Sequence, residues 1–280
     1  MNRGFAAGLV LAAMTAVACS PSPLNLGSDP DILWWTDNET GDNSDWYKNL
    51  AGLNGQSDAA GSAWNSSGFT WTSNGGQFSI AADPGRARSG RYAIKSSVVS
   101  PGTNIQSGAC AERDGQLPEE AYYSAWFYVP ALPNSTSYWL FFKFRSRRVA
   151  TDQSTTVEGW DLDAEFANGN LQFELFSHAT NQNVPTVGST APVVPVARWF
   201  QIEAFLKIAT DNTGQITFWI DGAKSFDVQN TATVPSTFVE WSVGGIAEVI
   251  DPVPALLYVD DAAMSTRRLG PDYPVFTRGN

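Results

Sequence analysis

From Asp31 onward the chain repeats one pattern: short runs in which β-branched and aromatic residues alternate with polar ones, cut by Gly, Pro, Asn and Asp. No sustained apolar repeat at helical spacing accompanies them, and a period of two fits only strands with one wet face. The clearest run is Trp199 to Ile208, with Phe200, Ile202, Ala204, Leu206 and Ile208 on one face and Gln201, Glu203 and Lys207 on the other. Gly214 to Ile220, then Asp221-Gly222, then Ala223 to Asp227 reads as a hairpin, because Asp-Gly supplies the positive φ angles of a tight turn. Further runs are Gln77 to Ala81, Tyr92 to Val98, Tyr122 to Val129, Tyr138 to Arg145, Trp160 to Phe166, Leu171 to His178, Phe238 to Gly244 and Leu256 to Met264. So many strands without a helix, in a chain 43% apolar, predict one all-β domain: an antiparallel two-sheet jelly-roll sandwich.

The N-terminus reads differently. Arg3 precedes an apolar run from Phe5 to Ala18, too short to span a bilayer as a finished helix, which marks residues 1–18 as a signal peptide. Ala16-Val17-Ala18-Cys19 resembles a bacterial lipobox, in which the cysteine thiol takes diacylglycerol and becomes the mature N-terminus. Residues 19–30, with three prolines, are then a polar tether, residues 31–276 the sandwich domain and 277–280 a tail. The expected location is outside the cytoplasm, lipid-anchored to the cell envelope, at an outer membrane if the host has one. Lipidation of Cys19 leaves Cys110 without a partner, so stability rests on the core. The formal charge of −11 becomes −12 once Arg3 is removed, which repels nucleic acid and disfavours strongly sulfated or uronate-rich polymers unless a local basic cleft overrides it.

Several segments resemble, in order, the concanavalin A-like jelly-roll proteins that include heparin-lyase-like and alginate-lyase-like polysaccharide lyases. They are Asp37-Asn-Glu39-Thr-Gly41-Asp42 with Trp46, then Ser89-Gly90-Arg91-Tyr92-Ala93, then Glu119 to Pro130, the Asp221-Gly222 hairpin, and Leu257-Tyr-Val-Asp260-Asp261-Ala-Ala-Met-Ser265. The resemblance implies the jelly roll and a polysaccharide partner. Two features depart from the lyase pattern. The strand Tyr138-Trp-Leu-Phe-Phe-Lys143-Phe-Arg145 lacks the glutamine and histidine of a lyase cleft strand, and Gly244-Gly245-Ile246 stands where Gly-x-Tyr is common.

Removal of the proton beside a uronate carboxylate needs a cation to neutralise that carboxylate, a base, and an acid for the leaving oxygen. Lys143, Arg145, His178 and a tyrosine are the candidates. Strict alternation places Lys143 and Arg145 on one side of the sheet with Trp139 and Phe141, whose rings would stack on sugars. His178, the only histidine, shares a strand face with Gln172, Glu174 and Phe176, which also suits a solvated polar face.

A hydrolase alternative rests on Asp161, Asp163 and Glu165, three carboxylates on one strand face that resemble the Glu-x-Asp-x-Glu signature of laminarinase-type retaining β-glucanases. Asp161 and Glu165 would be the outer acids, yet i and i+4 on a strand lie about 13 Å apart, against a carboxyl separation of about 5.5 Å in retaining enzymes. Equally, the two strands could be neighbours whose Lys143 and Arg145 pair with these carboxylates. The family also suggests a structural Ca²⁺ held by Glu39, Asp42 and Asp261. No organic cofactor is expected. The first expectation is thus a lipid-anchored module that binds a polysaccharide on its concave sheet. The alternatives are a polysaccharide lyase acting on a uronate-containing glycan, and a structural envelope or adhesion module.

Overall fold

The structure, a computed structural model, describes residues 24–25, 29–48, 50–51, 65–135, 137–149, 155–167 and 169–277. The signal segment and Cys19 lie outside the described residues. Two large antiparallel sheets pack face to face, as the alternating runs predict. The first, here the cleft sheet, orders its strands Gln182–Val184, Asn170–Ser177, Thr155–Ala167, Trp139–Val149, Val239–Ala247, Ser107–Gln116, Asn65–Ser73 and Leu50–Ala51. The second runs Ala223–Thr231, Gly214–Ile220, Trp199–Lys207, Glu120–Tyr128, Ala255–Ser265, Ala93–Val98 and Gln77–Ala81, with Ile32–Thr36 also pairing on Ala255–Ser265. The Asp221-Gly222 hairpin forms as expected, with Asp221 at φ 47° and Gly222 at φ 80°. Leu24–Asn25 pairs in parallel with Phe276–Thr277, and Asp29 accepts hydrogen bonds from Tyr273 and Arg267, so packing begins ahead of Asp31.

Aromatic rings fill the interlayer. Trp241 of the cleft sheet meets Trp34 and Tyr123 of the other sheet and Phe142 of its own, and Trp46 joins it from a single helical turn, Ser44–Tyr47. Centroid spacings of 5.2–6.0 Å around Trp241 are those of edge-on and tilted aromatic pairs. Ser107–Gln116 is a strand the sequence pattern does not reveal. It sits near the centre of its sheet, buried on both faces, with small residues and the buried pair Glu112 and Arg113 in place of alternating apolar ones. Arg113 points inward and donates to the carbonyls of Trp46, Lys48 and Ser66; burial pulls its guanidinium down to about 10.

One irregularity decides what the cleft sheet presents. The ladder of Trp139–Val149 shifts register between Leu140 and Phe142 against both neighbours. Against Thr155–Ala167 Phe141 is the extra residue, whereas against Val239–Ala247 the extra residue lies in that strand, at Gly244 or Gly245; the side-chain alternation of Trp139–Val149 changes sense at Phe141. Trp139 and Phe141 face the core on one side of it, and Phe142 and Phe144 face the same core on the other. Tyr138 and Leu140 therefore share the outer face with Lys143 and Arg145. The expectation that Trp139 and Phe141 stack on sugars is corrected: both are fully buried. Opposite the irregularity stands Gly244 at φ +139°, where an added Cβ would lie 2.4 Å from the carbonyl oxygen of Ala109. Gly244→Ala is expected to lower the unfolding free energy by about 1–3 kcal/mol in denaturant titration, and a change within about 0.5 kcal/mol would show that the sheet does not need glycine there.

Candidate active-site groove

The outer face of the cleft sheet carries a groove of about 250 Å³. It is lined by His178 and Asp161 at one end, Lys143, Arg145 and Glu158 beside them, and Tyr138, Gln106, Leu140, Ile246 and Trp71 across the neighbouring strands. Of the residues singled out from sequence, Lys143, Arg145, His178 and Asp161 thus meet in one place. The tyrosine that joins them is Tyr138. Its presence depends on the parity change at Phe141, which strict alternation does not reveal. Gln106, Trp71, Glu112 and Glu240 were not legible as site residues, because Gln106 and Glu112 fall in the stretch without an alternating pattern.

His178 follows the strand Asn170–Ser177, and its Nε2 lies 2.9 Å from Asp161 Oδ2. A carboxylate only accepts, so this contact puts the ring proton on Nε2 and leaves the Nδ1 lone pair free of it. Phe176 meets the imidazole edge-on, with centroids 5.0 Å apart. The other oxygen of Asp161 is buried without a hydrogen-bond partner among the described residues.

Lys143 is 6% exposed, and its ammonium sits 3.1 Å from Glu240 and 3.7 Å from Glu112. Burial pulls its affinity for the proton down, but Glu240 and then Glu112 outweigh that and hold it above the ordinary lysine range. Glu112 is pushed upward, chiefly by burial, against the stabilising charge of Lys143. It also accepts hydrogen bonds from the Trp71 indole and, at 2.6 Å, from the Ser242 hydroxyl. The two strands expected to be neighbours are neighbours, with Lys143 opposite Asp161. The expected cross-strand ion pairs are corrected, since Lys143 turns to the carboxylates on its other side. Arg145 lines the groove and makes no ion pair among the described residues. The Tyr138 hydroxyl is buried, with the Gln106 amide beside it but short of full hydrogen-bonding geometry. Burial first, then the charges of Glu248, Asp161 and Asp163, push its phenol up to about 12.

Two other expectations do not fit. Asp163 and Glu165 share a strand face with Asp161 but do not line the groove, and Asp161 is engaged by His178 among basic neighbours, so the three do not form a hydrolase pair. The calcium candidates do not converge. Glu39 accepts from the backbone N–H groups of Arg91 and Tyr92, Asp42 from that of Ser44, and Asp261 from Arg88 and the Ser89 hydroxyl. Among the described residues no three acidic, histidine or cysteine side chains gather to hold an ion, so these residues do not fit the metal. Cys110 is buried beneath Leu140 and Ile246, which pushes its thiol upward and leaves it inert.

With that geometry established, known proteins can be set beside it. No family model and no curated protein matches the chain. Among solved structures it is similar to an endo-β-1,4-glucuronan lyase from the fungus Trichoderma reesei, with a TM-score of 0.53 and 18% identity over 72% of this chain and 92% of that one. The chain shares its fold with a polysaccharide lyase. It is also similar to a cellulose-induced protein, Cip1, with a TM-score of 0.51 and 12% identity over 84% of this chain and 98% of that one.

Lys143→Met should leave Glu112 and Glu240 without their cation and lower stability at neutral pH by about 3–5 kcal/mol. The gap between the two proteins should narrow in acid, as Glu112, whose proton affinity is raised, takes up a proton. It should narrow again in strong alkali, because the raised lysine stabilises below its ordinary range and loses that contribution as pH climbs through its folded value. Denaturant curves across that range that stay parallel would contradict the carboxylate clamp.

Proposed function

We propose that this protein is a polysaccharide lyase that cleaves a uronate-containing glycan by β-elimination in the groove between His178 and Tyr138. The observation that carries the reading is the convergence of a histidine, an arginine and a tyrosine around one polar groove. Those are the three chemical parts that elimination beside a carboxylate requires. The sandwich shared with a glucuronan lyase agrees with it.

Arg145 neutralises the uronate carboxylate, which acidifies the adjacent C5 proton. His178, fixed by Asp161, takes that proton on Nδ1. The C–H electrons form the C4–C5 double bond and the C4–O bond breaks. The leaving oxygen receives the proton of the Tyr138 hydroxyl, which is retained at neutral pH because burial and carboxylates hold its phenol high. Transfer through water from the histidine back to the tyrosinate restores both groups. Lys143 is a positioning residue: held by Glu112 and Glu240, it fixes the floor beneath Arg145 and Asp161.

Binding of the polysaccharide is the first half of this reading, and a binding module would use the same groove. The aromatic platform expected for such a module is absent at Trp139 and Phe141 and is replaced by Trp71. The lipid on Cys19 and export to the cell envelope belong to the same proposal, supported by the signal-like N-terminus. The test follows ultraviolet absorbance of the new double bond on glucuronan, alginate, pectate and unsulfated glycosaminoglycans. At least one polymer should give a rise, with His178→Ala and Tyr138→Phe each reducing the rate about 100-fold or more. A flat trace on all of them, with retarded migration in a gel containing one, would replace the lyase with a binding module.

A further inference from the structure

Charge along the groove is not uniform. The register of the three strands that form it divides the groove into two ends. Arg145 stands opposite Gly159, with His178 donating its backbone N–H to the Gly159 carbonyl, and this end carries the cation and the base. Beyond the irregularity at Phe141, Leu140 stands opposite Asp163, and Asp163 stands directly opposite Glu174 on the next strand. One step further, Trp139 is level with Ala164 and Ala247, which brings Tyr138 beside Glu165 on one side and Glu248 on the other. By register, Asp163, Glu165 and Glu174 therefore lie on the same face just past the tyrosine end, outside the groove's own lining, whose carboxylates are Glu158 and Asp161 at the other end.

Two of these are costly where they stand. Like charges directly opposite in an antiparallel ladder destabilise it, yet Asp163 and Glu174 face each other so. Asp163 is nine-tenths buried on the groove side of its strand and has no side-chain hydrogen-bond partner among the described residues. Glu174 is met by the Asn183 amide rather than by a cation. Burial first, then the charges of Asp161, Glu174 and Glu165, raise the proton affinity of Asp163, and burial, then Glu165, raises that of Glu174.

The elimination chemistry fixes which sugar lies there. The leaving oxygen is the anomeric oxygen of the sugar attached to O4 of the uronate, and it takes its proton from Tyr138. That neighbouring sugar must extend past the tyrosine end, toward the partly exposed Glu165 and Glu174. A second uronate would bring a carboxylate to a row of carboxylates, with Arg145 already committed to the first. A hexosamine or neutral hexose would instead bring hydroxyl and amide N–H donors to acceptor-only oxygens.

We infer that the substrate is a polymer in which the uronate alternates with an unsulfated hexosamine or neutral hexose, and that Glu165 and Glu174 select against homopolyuronates. This rests on the β-elimination reading and goes beyond it, since that reading is indifferent to the neighbouring sugar. The full chain is assayed by double-bond absorbance on hyaluronan and unsulfated chondroitin, and on glucuronan and alginate, at equal uronate concentration. The alternating polymers should be cleaved at least about tenfold faster. Glu165→Gln and Glu174→Gln should narrow that ratio by raising the rate on the homopolymers, and added salt should narrow it in the parent protein. Faster cleavage of glucuronan or alginate, or a ratio unmoved by both substitutions, would overturn the inference and leave the lyase reading standing. If no polymer yields a double bond, the lyase reading fails, and retardation in gels containing the same four polymers decides the inference. Stronger retardation by the alternating polymers would sustain the selectivity, and stronger retardation by the homopolymers would end it.

Discussion

The functional face of this sandwich depends on one extra residue in a ladder. Without the irregularity at Phe141, Tyr138 and Arg145 would point to opposite sides of the sheet, because their separation is odd and strand side chains alternate. With it, both point outward and five large aromatic side chains, Trp139, Phe141, Phe142, Phe144 and Trp241, all reach the interlayer. The core and the groove are two consequences of one register shift, and Gly244 opposite is the backbone that lets the neighbouring strand follow it.

Electrostatics tie the groove to the strands beneath. A buried lysine with two carboxylate neighbours is a poor source of stability compared with apolar packing, yet breaking it leaves uncompensated charge. Lys143, Glu112 and Glu240 bind three adjacent strands together at the groove floor, with Trp71 and Ser242 both donating to Oε1 of Glu112. That clamp leaves Arg145 as the cation turned to the groove. Near Arg145 the local field opposes the global field of a chain with a formal charge of −11, as the proposed binding of an anionic sugar requires.

Much of this was legible in the sequence where side-chain period and turn chemistry agree. The strand from Trp199, the Asp221-Gly222 hairpin and the pairing of the Lys143 strand with the Asp161 strand all follow from alternation and from Asp-Gly geometry. Ser107–Gln116 was not legible, because a strand buried on both faces by Gly, Ala and Cys, with a buried Glu and Arg, loses its period-two signature. Nor was the position of Trp139 and Phe141, since a bulge is a property of three strands together and leaves no mark in one. His178 and Asp161 were each visible as candidates under separate readings. Only the fold, which sets the strand ending at Ser177 against the one carrying Asp161, joins them into a single pair.

Because His178 is the sole histidine of the chain, its ring nitrogens give one unambiguous pair of nitrogen-15 resonances. The account predicts a proton on Nε2, a lone pair on Nδ1, and a shift of Nδ1 when a uronate-containing oligosaccharide is added, with the tautomer preference lost in Asp161→Asn. A proton on Nδ1, or resonances indifferent to every uronate oligosaccharide, would contradict the placement of an Asp161-oriented base in a sugar-binding groove.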